Sequence, residues 1–240
     1  MSSYAGMRCN PAPRSYGKPA SKVKRFAWAF VAAVVWFGTV LAVSAADAAE
    51  RPIKIVALGD SLMAGYQLPG PDAFPVRLER ALKAKGLAVE VVNAGVSGDT
   101  STGGLARLDW SVPDGTDAVI LELGANDMLR GLEPKVTRKA LEEIIGRLKA
   151  RRIEILLCGM LAPPNLGPDY ARGFDAIYPE LAAANGLLFY PFFLDGVATN
   201  PKLNQRDGMH PNAAGVAAMV EGILPKVEEL LARVRAKTGS

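Results

Sequence analysis

Short apolar runs alternate with amphipathic segments over most of the 240-residue chain. Runs rich in Val, Ile and Leu are typical of strands that are buried on both faces, as in a parallel sheet. Apolar residues three and four positions apart are typical of helices that pack on one side. This alternation predicts one three-layer α/β/α sandwich around a mostly parallel sheet of about five strands. The predicted strands are 53–58, 89–93, 117–123, 153–158 and 187–190, and the predicted helices are 73–85, 101–108, 137–150, 174–185 and 213–237.

Three local features make further predictions about these elements. Asp72 precedes the helix over 73–85, and we expect its side chain to cap that helix. The stretch 159–173 is rich in Pro and Gly, and its length predicts a binding loop rather than a plain connection. Pro225 is expected to break or kink the C-terminal helical region, because proline lacks a backbone donor.

The N-terminal segment has the order of a secretory signal peptide. A basic, polar region over 1–25 is followed by an uncharged run over 26–46 and by Ala46-Asp47-Ala48, an A-x-A cleavage site. We therefore predict a signal peptide over residues 1–48, with cleavage near 45–49, and a single domain over 49–240. An uncleaved membrane anchor is the alternative, because the apolar run is long enough to span a bilayer. The prediction places the protein in the periplasm or outside the cell, with no stable membrane insertion after cleavage.

The charge balance changes when this segment is set aside. The whole chain has a formal net charge of +4, but residues 49–240 hold 22 basic and 23 acidic residues, a net charge of −1. The basic excess therefore belongs to the segment, and nucleic acid is not indicated as a partner. Cys158 is the one cysteine left after residue 48, which excludes an internal disulfide there.

One serine and one histidine are the candidate catalytic residues of the chain. Ser61 follows the first predicted strand, at the sheet edge where reactive groups of α/β proteins collect. A serine hydroxyl is a weak nucleophile until a base removes its proton, and His210 is the only histidine of the sequence. Asp207 precedes His210 by three positions and can fix the tautomer of the imidazole. This chemistry needs neither a metal nor a cofactor, and one histidine makes a zinc site improbable.

Two further stretches follow predicted strands. The turn over 94–100 contains two glycines, which suit either a tight strand-to-helix connection or a backbone that presents its N–H groups. Asn126 follows the third strand, where it could form a local turn or donate its amide to a developing oxyanion.

These four stretches resemble the SGNH/GDSL hydrolase family. The family has Gly-Asp-Ser-Leu after the first strand, a glycine-bearing turn after the second, an asparagine after the third and Asp-x-x-His near the C-terminus. Over residues 53–225, the sequence motifs are similar to those of the bacterial multifunctional thioesterase/lysophospholipase/arylesterase branch. The matching motifs are Gly59-Asp60-Ser61-Leu62, Ser97-Gly98-Asp99-Thr100-Ser101, Leu105-Ala106-Arg107-Leu108, Glu122-Leu123-Gly124, Asn126-Asp127 and Asp207-Gly208-Met209-His210-Pro211-Asn212.

The resemblance implies a flavodoxin-like sandwich and a role for each matching residue. Ser61 matches the nucleophile, His210 the general base and Asp207 the residue that orients it. The oxyanion hole would consist of the Ser61 N–H, the Gly98 N–H and the Asn126 side chain, with Gly95 as the alternative glycine.

The resemblance also implies a substrate class. It indicates a serine esterase for small-molecule aryl or acyl esters, acyl thioesters and lysophospholipids. A carbohydrate O-acetyl esterase of the same superfamily is the alternative, and a binding module without catalysis is the third hypothesis. The oligomeric state is left open.

Overall fold

All five predicted strands belong to one sheet in the computed structural model, which describes residues 51–238. The strands are β1 (Ile53–Gly59), β2 (Val89–Gly95), β3 (Ala118–Leu121), β4 (Glu154–Cys158) and β5 (Leu188–Tyr190). Neighbouring strands are parallel throughout, and their order is β2-β1-β3-β4-β5. The predicted parallel sheet is therefore confirmed, and β1 lies between β2 and β3.

Helices cover both faces of the sheet, because its central strands are apolar on both sides. Residues 55–58 of β1 are fully buried. The helices are α1 (Ser61–Ala64), α2 (Phe74–Ala84), α3 (Ser101–Ala106), α4 (Leu108–Ser111), α5 (Ala125–Leu129), α6 (Pro134–Ala150), α7 (Pro168–Asp175), α8 (Ile177–Asn185) and α9 (Ala213–Thr238). The long C-terminal helix α9 packs with α2 on one face, and α6 packs with α3, α7 and α8 on the other. This is the predicted three-layer sandwich.

The strand register brings the carboxyl ends of the strands to one edge. Gly59 at the end of β1 pairs with Gly95 at the end of β2. Leu58 pairs with Leu121 at the end of β3. The segments that follow these three strands therefore begin side by side.

Two of the local predictions are wrong in their details. The stretch 159–173 is not one loop, because a 3-10 turn over Pro164–Leu166 and most of helix α7 lie within it. Asp72 does not cap α2. It ends a 3-10 turn, and its carboxylate accepts hydrogen bonds from Arg77 Nη2 at 2.5 Å and Nε at 3.2 Å.

Pro225 does not break the C-terminal helix, which is continuous as α9. Pro225 and Glu221 both lie on the exposed face of that helix. The carbonyl of Glu221, which a residue other than proline would bond, can therefore be satisfied by water. Ile223 and Val227 are fully buried on the opposite face, and their packing holds the helix together across the proline.

The predicted signal peptide over 1–48 lies outside the described residues. Within residues 51–238, none of the helices is long and apolar enough to cross a bilayer.

Candidate active site

Ser61 is the first residue of α1, directly after β1. Asp60 caps this short helix, with Oδ1 accepting a hydrogen bond from the Leu62 N–H at 3.0 Å. The helix lies directly against Gly95 of β2, where a Cβ atom would come within 2.1 Å of the Ala64 nitrogen. The first residue of a helix has no intrahelical acceptor for its N–H. The turn therefore presents both the hydroxyl and the N–H of Ser61 at the sheet edge.

The structure brings Ser61, His210 and Asp207 into one hydrogen-bonded relay. His210 Nε2 lies 2.9 Å from Ser61 Oγ, although the two residues are 149 positions apart. His210 Nδ1 lies 2.7 Å from Asp207 Oδ2. The other carboxylate oxygen of Asp207 accepts the backbone N–H groups of Met209 at 2.9 Å and of His210 at 3.0 Å. The carboxylate is thus fixed against its own loop and aimed at the imidazole.

The loop that carries His210 is tied to the loop that carries Ser61. The Gln205 N–H donates to the His210 carbonyl at 2.7 Å. Its side-chain amide donates to the Tyr66 carbonyl at 2.8 Å and to the Pro211 carbonyl at 3.0 Å. The rings of Tyr66 and His210 pack with their centroids 4.6 Å apart. These contacts hold the imidazole over α1.

Three carboxyl groups around the relay differ in protonation for physical reasons. Hydrogen bonds from the backbone of His210 and Met209 lower the pKa of Asp207 to about 2, so this group is an anion at neutral pH. Burial raises the pKa of Asp60 to about 6. Burial and the nearby charge of Asp60 raise the pKa of Glu122 well above its ordinary value. Glu122 therefore keeps its proton to a higher pH than a carboxyl in water does.

Gly98 and Asn126 lie in the segments that follow β2 and β3, on either side of Ser61. Gly98 has a φ of +82°, a conformation that favours glycine. Its carbonyl accepts a hydrogen bond from Arg130 Nη2 at 2.6 Å. The amide of Asn126 donates one bond to Asp60 Oδ2 at 3.0 Å, which leaves its second N–H for another acceptor.

The alternative glycine, Gly95, differs from Gly98 in its bonding. The Gly95 N–H donates to the Asn93 side chain at 2.9 Å. Within residues 51–238, the Gly98 N–H has no hydrogen-bond acceptor.

Sequence reasoning assigned no role to several residues that shape this site. Glu122 is buried behind the turn that carries Ser61, and its Oε2 accepts a hydrogen bond from the Asp60 N–H at 3.3 Å. The signal for it was a single acid inside an otherwise apolar strand pattern. Tyr66 and Gln205 had no comparable signal, because their importance depends on a contact between distant loops.

The apolar residues on the segments near the site divide into two groups. Met63 and Met160 are buried and belong to the core. Leu129 and Leu161 are 58% and 45% exposed, after β3 and β4 respectively. The cavity beside Ser61 and His210 has a volume of only about 10 Å³. Among residues 51–238, no cluster of three or more His, Cys, Asp or Glu side chains could hold a metal ion.

Comparison with known proteins places the chain in a family. The sequence profile of the GDSL-like Lipase/Acylhydrolase family matches residues 57–218. The chain belongs to this family. This GDSL hydrolase is therefore a carboxylic-ester hydrolase, and the predicted family and branch are confirmed.

Relatives of this GDSL hydrolase include an arylesterase of Vibrio mimicus, 42% identical over 68% of the chain and 82% of the relative. Thioesterase 1/protease 1/lysophospholipase L1 of Escherichia coli is 42% identical over 66% of the chain and 75% of the relative. The crystal structure of AlinE4, an SGNH-hydrolase family esterase, superposes with a TM-score of 0.64. The two sequences are 46% identical, and the superposition covers 75% of this chain and 97% of the AlinE4 chain. The predicted fold and esterase activity are thereby confirmed.

Proposed function

We propose that this esterase works by two-step acyl transfer through Ser61, with His210 as general base and Asp207 as the residue that orients it. The observation that carries the proposal is the relay of 2.9 and 2.7 Å contacts from the Ser61 hydroxyl through the imidazole to the Asp207 carboxylate. Because Asp207 is an acceptor, the Nδ1–H of His210 donates to it and Nε2 is left to accept the Ser61 proton. Ser61 Oγ then attacks the ester carbonyl carbon.

Three donors stabilise the oxyanion that this attack creates: the N–H groups of Ser61 and Gly98 and the side-chain amide of Asn126. This assignment is supported by the position of the three donors, which follow the carboxyl ends of the adjacent strands β1, β2 and β3. The commitment of the Gly95 N–H to Asn93 favours Gly98 over Gly95 as the glycine donor. Removing one such donor typically costs about 3 kcal/mol of transition-state stabilisation.

The second half of the reaction reverses the proton path. His210, now protonated, gives its proton to the leaving alcohol or thiol as the carbonyl re-forms and the acyl group stays on Ser61. Water then attacks the acyl-enzyme while His210 accepts its proton, and His210 returns that proton to Ser61 Oγ as the bond to the acyl group breaks and the acid is released. Asp60 takes no proton in this cycle, since its carboxylate holds the Leu62 N–H and the Asn126 amide in place.

The substrates we propose are aryl and acyl esters, acyl thioesters and lysophospholipids. The names of the relatives support this range. Because the cavity beside Ser61 is small, we place the acyl chain along the surface, against the exposed side chains of Leu129 and Leu161.

Hydrolysis of p-nitrophenyl esters from acetate to palmitate tests the mechanism and the substrate class together. We expect activity to peak at medium or long chains and to vanish in Ser61→Ala. Activity confined to acetate would favour the carbohydrate O-acetyl esterase instead. A Ser61→Ala protein that is as active as the wild type would remove the nucleophile assignment.

Acyl-chain contact has its own matched test. Leu129→Ser and Leu161→Ser should lower kcat/KM for long-chain esters while hydrolysis of the acetate ester is retained. Trp110→Ser is the control, because Trp110 is 72% exposed but lies on α4, which supplies no residue of the relay or the oxyanion donors. An equal loss in all three variants would contradict the assignment.

We also propose that residues 1–48 direct export and are removed. The support is the basic, apolar and small-residue order of that segment. Mass spectrometry of the protein from the producing cell should give a chain that begins near residues 45–49. Recovery of the full chain in the membrane fraction would show that the segment is an anchor.

A further inference from the structure

Arg107 is a buried cation that none of the steps above uses. Its side chain is 8% exposed, at the junction of α3 and α4. All three guanidinium nitrogens donate hydrogen bonds. Nε donates to Asp99 Oδ2 at 2.6 Å, Nη2 to the Gly59 carbonyl at 2.8 Å, and Nη1 to the Ala94 carbonyl at 2.8 Å and Ser111 Oγ at 2.9 Å. The planar guanidinium thus fixes the relative positions of these groups.

The groups that Arg107 joins lie beside the proposed oxyanion donors. Gly59 is the last residue of β1, two positions before Ser61. The Asp99 N–H closes a turn by donating to the Val96 carbonyl at 3.0 Å, and Gly98 is the third residue of this turn. The Gly59 carbonyl also accepts the Val96 N–H at 3.0 Å. Arg107 therefore connects the strand that carries the nucleophile to both ends of the turn that carries Gly98.

This connection matters because an oxyanion hole depends on donors that are held in place before the reaction. Donors that must move when the oxyanion forms lose part of their effect, and a misplacement of about 1 Å can cost about 100-fold in rate. The turn over 96–99 is an irregular segment. Its attachment to β1 runs through the shared Gly59 carbonyl and the ion pair between Arg107 and Asp99.

We propose that Arg107, paired with Asp99, is a positioning residue that sets the Gly98 N–H relative to the Ser61 N–H for oxyanion binding. It touches no substrate and transfers no proton. The proposal rests on the assignment of Ser61 and Gly98 as oxyanion donors. Under this proposal, a buried ion pair that would otherwise be considered only structural contributes to catalysis.

Two variants test the proposal on the full-length protein. Arg107→Lys keeps the positive charge but loses the planar fork, and Asp99→Asn keeps the volume but loses the ion pair. We expect kcat on a p-nitrophenyl ester to fall about 10- to 100-fold in each, while KM changes by less than about threefold. The reason is that the Gly98 N–H bonds to the oxyanion, which exists only in the transition state and the tetrahedral intermediate. Circular dichroism and melting curves establish that each variant is folded.

A transition-state analogue separates positioning from a general loss of structure. An alkyl trifluoromethyl ketone adds to the serine hydroxyl and forms a tetrahedral oxyanion. Its Ki should rise by the same factor by which kcat/KM falls. Arg77→Lys is the control, because Arg77 pairs with Asp72 away from the relay and should keep wild-type kcat and Ki.

The outcomes distinguish this proposal from the proposed function. If Ser61→Ala is inactive and folded Asp99→Asn keeps wild-type kcat, the positioning role is wrong while the nucleophile assignment stands. A fall in kcat without a rise in Ki also overturns the role. If Arg107→Lys does not fold, the Asp99→Asn result alone decides. If Ser61→Ala stays active, the proposed function itself has failed.

Discussion

The buried acid behind Ser61, Glu122, makes stability depend on pH in a way that one variant can test. Glu122 is 1% exposed, and its Oε1 has no hydrogen-bond partner among the described residues. Its pKa is raised well above the ordinary value of 4.5 by burial and by the charge of Asp60. Above about pH 4.5 the unfolded chain therefore releases a proton that the folded protein keeps.

The sign and size of the effect follow from proton linkage. The stability from a group whose pKa is raised in the folded state is fully present below the unfolded pKa and is lost as pH rises towards the folded pKa, because in that range only the unfolded chain is ionised. The free energy of unfolding therefore falls as pH rises, by up to about 1.4 kcal/mol per pH unit for one proton. Asp60, with its pKa raised to about 6, acts in the same direction, whereas Asp207, with a pKa of about 2, titrates at lower pH.

Glu122→Gln removes one of these titrations and leaves the others in place. Relative to the wild type, the variant should gain up to about 1.4 kcal/mol per pH unit between pH 5 and 7, or about 2–4 °C in Tm per kcal/mol for a domain of this size. The buried amide also brings a cost that does not depend on pH, so only the slope is diagnostic. Because Asp60 and Glu122 interact, the difference in slope reports the titration of this carboxyl pair.

Urea unfolding at pH 5, 6 and 7, at constant ionic strength, measures these free energies. Glu143→Gln, on the exposed face of α6, controls for the loss of one carboxylate and should run parallel to the wild type. If Glu122→Gln also runs parallel to the wild type, Glu122 does not hold an extra proton in the folded state and the reasoning is refuted.

Three further variants test other parts of the site. Asp207→Asn should lower kcat by about 10⁴-fold with little change in KM, because the imidazole loses the acceptor that fixes its tautomer; initial rates against substrate concentration would show it, and an undiminished kcat would contradict the orienting role. Tyr66→Leu should lower kcat a few-fold while Tyr66→Phe keeps it, because the ring packs 4.6 Å from the His210 ring and helps to hold the imidazole over α1; equal rates in both would exclude this contribution. Gly95→Ala should lower both Tm and kcat, because its Cβ would lie 2.1 Å from the Ala64 nitrogen, and a variant with wild-type melting and kinetics would show that α1 does not rest on this glycine.

The sheet and the relay could be predicted because their signals are local and strong. Five apolar runs predict five strands, and a single histidine leaves one candidate base for Ser61. The proline signals were harder to interpret. Pro168 lies in the stretch predicted to be a loop, and Pro134 lies before the helix predicted over 137–150, yet each is the first residue of a helix, where a missing N–H costs nothing. Asp72 was expected to cap α2, but its carboxylate accepts a hydrogen bond from Arg77 instead.

The residues that could not be predicted act across the chain. Arg107 bonds to Gly59 over 48 positions, and Gln205 bonds to Tyr66 over 139. Arg107 lies in a matching motif, but neither residue has a sequence signal that names its partner, because any residue can supply a carbonyl acceptor. Their roles follow only from the strand order, which sets which chain segments meet at the sheet edge.

The distance along the chain between nucleophile and base also determines when the enzyme becomes active. Ser61 emerges early in synthesis, whereas His210 is 149 positions later and precedes the helix that packs on α2. Contacts between such distant segments form late in folding, after the intervening strands have paired. The growing chain therefore carries the proposed nucleophile without its proposed base, and we expect it to be unable to hydrolyse esters until its C-terminal segment has docked.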